Sequence, residues 1–209
     1  MTFYNKTVFI ATHQGFAARY LLRTDIFRVL KASGARIVIV TPNPDEAYFR
    51  EEFEDTNVYI EKFEYAKNDA YTLRSRLQRF LEAVRLLVLS DKGDLEAIRR
   101  REVRERAKLQ SWRGKLQWLL ARPLVLLLRR SLLLRRLLIG FESRFLVPDS
   151  HQDIFLKYRL DLMIVSSLGY WRHDAYMIRE AHMYGAKVLS VILSWDNTST
   201  RGMGGANPD

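Results

Sequence analysis

The chain has 209 residues, 48% of them apolar, which is enough for the core of one domain and too apolar for a disordered tail. The absence of cysteine excludes disulfides, thiolate metal sites and cysteine nucleophiles. The four histidines, at 13, 151, 173 and 182, form no His-x-x-x-His or Glu-x-x-His pair, so no metal site is expected. The net charge of +10 is concentrated, because residues 71–145 hold 19 Lys/Arg against seven Asp/Glu, and a basic excess confined to one region calls for a polyanionic partner.

No basic segment followed by a long apolar run and a small-residue cleavage site opens the chain, so no secretory signal is expected and the cytosol is the expected compartment. Thr7-Val-Phe-Ile-Ala-Thr12 reads as a first strand, followed by His13-Gln-Gly15 and a helical pattern in which Leu22, Ile26, Phe27 and Leu30 share a face. Ser33-Gly34 ends that helix. Arg36-Ile-Val-Ile-Val-Thr41 is the second strand and Pro42-Asn-Pro44 its stop, which gives a βαβ unit with a right-handed crossover. A short helix over about 45–54 and a third strand at Asn57–Phe63 follow.

From Ala70 to about Gly140 the periodicity is helical, with breaks expected at Asp91-Lys-Gly93, Gly114 and Pro123. A fourth strand at Asp161–Ser167, a helix over Arg172–Tyr184 ended by Gly185, and a fifth strand at Lys187–Ser194 restore the α/β alternation. Val188–Leu193 has the composition of a strand covered on both faces. The expected fold is a single α/β domain, a doubly wound parallel Rossmann-like sheet ordered 3-2-1-4-5, with a basic helical insertion at about 70–145 between strands three and four.

That order brings the loops after strands one, four and five to one edge, where open α/β sheets bind ligands. His13 is the catalytic candidate, because an imidazole titrates near neutrality and can serve as a general base; a loop histidine capping a helix is the equal alternative. Gly15, Arg19, Ser166, Tyr170, Trp195, Asp196, Asn197 and Arg201 are the substrate-binding candidates, with Gln14, Ser167, Gly169 and Arg172 beside them. The polar run after Trp195 also has the composition of a solvated turn. His13-Gln-Gly-Phe-Ala-Ala has one glycine where a dinucleotide fingerprint needs three, no Gly-Lys-Ser/Thr loop exists, and no helix follows Met203-Gly-Gly-Ala. No cofactor is expected.

Trp118–Ile139 reads as one amphipathic helix. Lys115, Arg122, Arg129 and Arg136 recur every seven residues, Arg130 and Arg135 flank them, and Leu120, Leu124, Leu127, Leu134 and Leu138 lie opposite. No stretch of ~20 residues there is free of charge, as a spanning helix requires. The six basic residues are therefore candidates for contact with an anionic membrane surface, against the alternative of a helix packing its leucines on the sheet. Nucleic acid ranks last, since no aromatic stacking residues interleave with the arginines.

Gly15-Phe-Ala-Ala-Arg-Tyr-Leu-Leu-Arg-Thr-Asp25 and Leu193-Ser-Trp-Asp-Asn-Thr-Ser-Thr-Arg-Gly202 together resemble the N-terminal domain of bacterial GT-B-type glycosyltransferases of surface carbohydrates, relatives of the CDP-glycerol glycerophosphotransferases. The likeness covers about residues 7–60 and 160–205; the helical insertion has no counterpart in it. The resemblance implies an acceptor cleft lined by His13, Arg19, Trp195, Asp196 and Asn197, in a domain that often supplies the base. In such enzymes a second domain holds the nucleotide-sugar donor, usually without a metal; the sequence ends at Asp209, where that domain should begin, so the expectation is either a fragment or a half-protein that cannot bind a donor alone. The expected function is the acceptor-side half of a membrane-associated glycosyltransferase, peripheral at the inner face of the cell membrane and acting on a cell-envelope or lipid-linked acceptor. The alternatives are a non-catalytic membrane-associated binding module and a glycerophosphotransferase-like enzyme.

Overall fold

Alternating β-branched residues build the sheet. In the computed structural model, which describes residues 4–13, 15–88, 112–192 and 203–209, five parallel strands pair in the order β3-β2-β1-β4-β5. They are β1 (Thr7–Ala11), β2 (Arg36–Thr41), β3 (Val58–Lys62), β4 (Leu162–Val165) and β5 (Lys187–Ser190). The described helices are α1 (Gly15–Leu22), α2 (Asp25–Ala32), α3 (Ala47–Phe53), α4 (Tyr65–Arg74), α5 (Arg76–Val88), α6 (Trp112–Arg130), α7 (Leu132–Phe145), α8 (Gln152–Tyr158) and α9 (Arg172–Met183). This is the expected α/β architecture, with strand order and helical layer where the periodicity placed them.

Successive side chains on a strand point to opposite faces, so each strand feeds two cores. Val8, Ile10, Ile37, Ile39 and Ile164 meet Leu21, Phe27, Phe49 and Phe53 of α1–α3 on one face. Phe9, Ala11, Val38, Val40 and Met163 meet Phe155 of α8 and Met177 and Ile178 of α9 on the other. A third cluster lies within the insertion, where Val84 and Val88 of α5 pack on Ala121, Val125 and Leu128 of α6 and Ile139 of α7. The insertion therefore carries a core of its own, so the leucine face of α6 is not what covers the sheet.

Three expectations change. The first crossover helix is two: Thr24 is extended (φ −129°, ψ 172°), and Thr24-Asp25 opens α2 with an acidic residue in its first turn, which leaves Ile26 exposed. The helix read across Trp118–Ile139 is also two. Ser131 is extended and its hydroxyl accepts from Leu134 N–H at 3.2 Å as the N-cap of α7, so the seven-residue basic row does not run along one helix, while Gly114 and Pro123 sit within α6 rather than breaking it. Finally, β5 stops at Ser190 and exposes Leu189, because it is the edge strand and no described helix covers it on the α1–α3 face.

What ties the layers together is charged. Arg179 of α9 is fully buried; its guanidinium donates to Gly205 O (Nε, 2.9 Å), Gln78 Oε1 (Nη1, 2.9 Å) and Leu146 O (Nη1, 2.9 Å), and lies 3.2 Å from Glu142 Oε2. Glu142 of α7 pairs through its other oxygen with Arg85 of α5, whose backbone carbonyl accepts from Met203 N–H at 3.1 Å. The sheet-covering helix, the insertion and the C-terminal segment thus meet at one buried carboxylate between two guanidiniums. Burial works against the charge of Arg179 and Glu142 works for it. Glu142→Gln leaves both guanidiniums buried without a counter-charge and is expected to lower stability by about 3–5 kcal/mol, measured by urea unfolding; a loss under about 1 kcal/mol removes the triad from this role.

Candidate functional site

The site grows from the carboxyl end of β1. Thr12 N–H donates to Val40 O at 2.9 Å and continues the strand by one residue, and Tyr65 Oη donates to His13 O at 2.7 Å, so the backbone that carries the imidazole is held from two sides. The His13 ring packs against Phe63 (centroids 5.1 Å apart), and only 3% of the side chain is exposed. Asp174, in the first turn of α9, places Oδ1 3.3 Å from His13 Nδ1, and its other oxygen accepts from Ser167 Oγ at the end of β4. Segments 161 residues apart are thus joined by the β1–β4 pairing, in which Ile10 sits beside Ile164.

Asp174 is fully buried, and burial pushes its carboxyl upward; His13 and the Ser167 hydroxyl oppose that. The first turn of α9 adds a favourable field for the carboxylate. Beside the pair, His173 lies 6.2 Å from the His13 ring and 4.7 Å from that of Tyr65. Burial, then the charge of His13, depresses His173 to about 4. Asn68 Nδ2 is 3.4 Å from His173 Nδ1, a contact that a neutral ring can accept. The Tyr65 phenol is raised by burial and then by Asp174. One wall of the site is held by His151, whose Nε2 accepts from Glu64 N–H (3.1 Å) and whose Nδ1 faces Glu180 Oε2 (2.7 Å).

The β4–α9 loop is seated on the C-terminal segment. Gly169 has φ +68°, and a Cβ there would lie 2.7 Å from Ala206 O, so both conformation and space require glycine. Gly169 O in turn accepts from Gly205 N–H at 2.8 Å. Ser166 is buried at the end of β4, with no hydrogen-bond partner for Oγ among the described residues.

Of the sequence candidates, the fold brings together His13, Ser166 and Ser167. Gly15 is the first residue of α1, and Arg19 is exposed one turn further on. Tyr170 is half-buried, and burial raises its phenol. Arg172 is committed to ion pairs with Glu82 (2.9 Å) and Asp69 (3.5 Å), which fasten α9 to α5 and α4. Gln14, Trp195, Asp196, Asn197 and Arg201 lie outside the described residues. Among the basic candidates, Arg129 donates to Leu87 O and Val88 O at the end of α5, and Arg135 donates to Leu128 O and Arg129 O at the end of α6, so both cap helices. Lys115, Arg122, Arg130 and Arg136 are exposed. Among the described residues no group of three or more His, Cys, Asp or Glu could hold a metal ion, and no helix is long and apolar enough to cross a membrane.

Sequence reasoning missed Asp174, His173, Tyr65 and Asn68. Asp174 carried one signal, an acidic residue at a helix start, but that position is ordinarily explained by the helix dipole. Tyr65 and Asn68 carried none, because they reach His13 and His173 only through tertiary packing of α4.

Comparisons with protein-family models, curated proteins and solved structures return no significant match, so the GT-B resemblance rests on the motifs that carry it.

His173 generates a pH prediction. Its folded pKa of about 4 lies below the ordinary 6.5, so the unfolded chain takes up the proton first as pH falls. Stability is therefore full above about 6.5 and is lost as pH falls through 4, by on the order of 1–2 kcal/mol once solvent screening of the partly exposed ring is allowed for. His173→Gln is expected to flatten that slope in urea titrations at successive pH values; an unchanged slope places the transition elsewhere.

Proposed function

We propose that this chain is the acceptor-side half of a GT-B-type glycosyltransferase, working on an acceptor presented at the inner face of the cell membrane, with His13 as general base. The observation that supports this reading is the His13–Asp174 pair. A fully buried carboxylate facing an imidazole at the carboxyl edge of a parallel sheet is costly to maintain as packing alone, and it can orient a base. Asp174 Oδ1, 3.3 Å from His13 Nδ1 without a hydrogen bond between them, favours a proton on that nitrogen by its charge, and Ser167 holds Asp174 in place. His13 Nε2 then takes the proton of an acceptor hydroxyl as its oxygen bonds to the anomeric carbon of the donor sugar. The bond from that carbon to the nucleotide phosphate breaks, and the nucleoside diphosphate leaves with the electron pair. The donor is held by a second domain, and the protein's own role in the step is to orient the acceptor and move its proton.

The test uses the complete gene product and follows nucleotide release across a panel of nucleotide sugars and CDP-glycerol. His13→Gln is expected to lower turnover by roughly 10²–10⁴-fold, the range that a general base supplies, with the fold retained by circular dichroism. Asp174→Asn is expected to impair turnover more than its loss of melting temperature explains. Full turnover in His13→Gln overturns the assignment. Turnover with CDP-glycerol alone makes the protein a glycerophosphotransferase-like enzyme. Variants that melt earlier but turn over normally per folded molecule make the pair a packing device.

A further inference from the structure

The exposed side of α6 and α7 is apolar and basic and carries no acid. Between Trp112 and Phe145 the sequence has eight Lys/Arg and a single acidic residue, Glu142, which is fully buried between Arg85 and Arg179. On α6 the buried positions Ala121, Val125 and Leu128 define one side, and at 100° per residue the exposed Leu116, Leu119, Leu126 and Leu127 lie on the opposite one. Lys115 and Arg122 run along one flank of that apolar stripe, with Arg130 at its end. On α7, Leu133, Leu137, Phe141 and Phe145 form a ladder at intervals of four on the side away from buried Ile139, with exposed Arg136 and Arg144 beside it. Leu119, Leu133 and Phe145 are 65%, 66% and 69% exposed, and adjoining exposed apolar residues along a helix face mark an interaction surface.

We infer that α6 and α7 dock as a pair of interfacial helices on an anionic phospholipid bilayer, the apolar residues entering the acyl boundary and Lys115, Arg122, Arg130, Arg136 and Arg144 meeting the phosphate headgroups. Charge decides between occupants. A second copy of the chain would bring two basic faces together, and a nucleic acid would satisfy the arginines while leaving the leucines in water; an anionic bilayer satisfies both. Arg129 and Arg135 belong to a different category, since their guanidiniums cap α5 and α6 and stabilise the helices rather than the membrane contact. The inference supplies the surface for the membrane part of the function proposed above and is independent of the chemistry at His13.

The test is flotation of the full chain with phosphatidylcholine vesicles, with and without phosphatidylglycerol. The chain is expected to float with the anionic vesicles and to be released by salt. Arg122→Gln with Arg136→Gln is expected to weaken that partition roughly 25-fold, about fivefold for each arginine withdrawn from the headgroups. Leu133→Ser with Leu137→Ser is expected to weaken it roughly 100-fold with no loss of melting temperature, because both side chains are already exposed. His13→Gln is expected to float like the wild type, which separates failure here from failure of the catalytic reading. Absence of flotation, equal flotation of wild type and both double variants, or a dimer abolished by the leucine changes in a chain that ignores vesicles each overturns the inference.

Discussion

The carboxylate of Glu142 between Arg85 and Arg179 is the interaction on which the rest of the molecule depends. A doubly wound sheet is stable as two apolar layers, and an insertion of helices between its third and fourth strands has no intrinsic reason to lie in one place. Here the insertion forms a small apolar core of its own, and the contact that fixes it to the sheet is ionic and directional. Arg179 reaches α5 through Gln78, the end of α7 through Leu146 O and the C-terminal segment through Gly205 O, using the planar fork of the guanidinium to satisfy acceptors on three elements at once. Apolar contacts could fill that space more cheaply but could not specify the orientation so narrowly.

The consequence for the site is indirect but physical. Gly205, held by Arg179, donates to Gly169 O, and Ala206 closes against Gly169 where a side chain would not fit. That seats the β4–α9 loop, which sets Ser167 and the first turn of α9, and these in turn present Asp174 to His13. The imidazole is positioned from the opposite direction by β1 and by Tyr65. The site residue and its partner are therefore held by different parts of the fold, which is how a buried carboxylate can be kept facing a histidine despite the cost of desolvation.

The two surfaces of interest also differ in how they are made. At the sheet edge, polar groups are buried, some hydrogen-bonded and some, such as Ser166 Oγ, without a hydrogen bond among the described residues, and their electrostatics come from burial, as the depressed His173 and the raised Asp174 both show. On α6 and α7 the charges are exposed and the apolar groups are exposed beside them, so the face is defined by what it lacks, namely an accessible acid.

Much of this was legible in the chain itself. Val/Ile-rich runs of four to six residues separated by helical periodicity determine a parallel sheet, and the right-handedness of crossovers leaves few strand orders open, so 3-2-1-4-5 and the meeting of the β1 and β4 loops followed from the pattern at Thr7, Arg36, Asn57, Asp161 and Lys187. His13 and Ser167 could be singled out because they stand at strand ends. Tertiary structure alone decided their partners. Asp174 and His173 read in sequence as residues of an ordinary helix start, and Tyr65 and Asn68 fall between the third strand and the helical periodicity that begins at Ala70, because contact across 52 to 161 residues depends on how α4 and α9 pack and leaves no local trace. The same holds for the basic segment. Its composition announced an amphipathic surface, yet whether each arginine caps a carbonyl or faces solvent, and that Ser131 divides one apparent helix into two, were settled by which backbone groups needed a partner once the helices had packed.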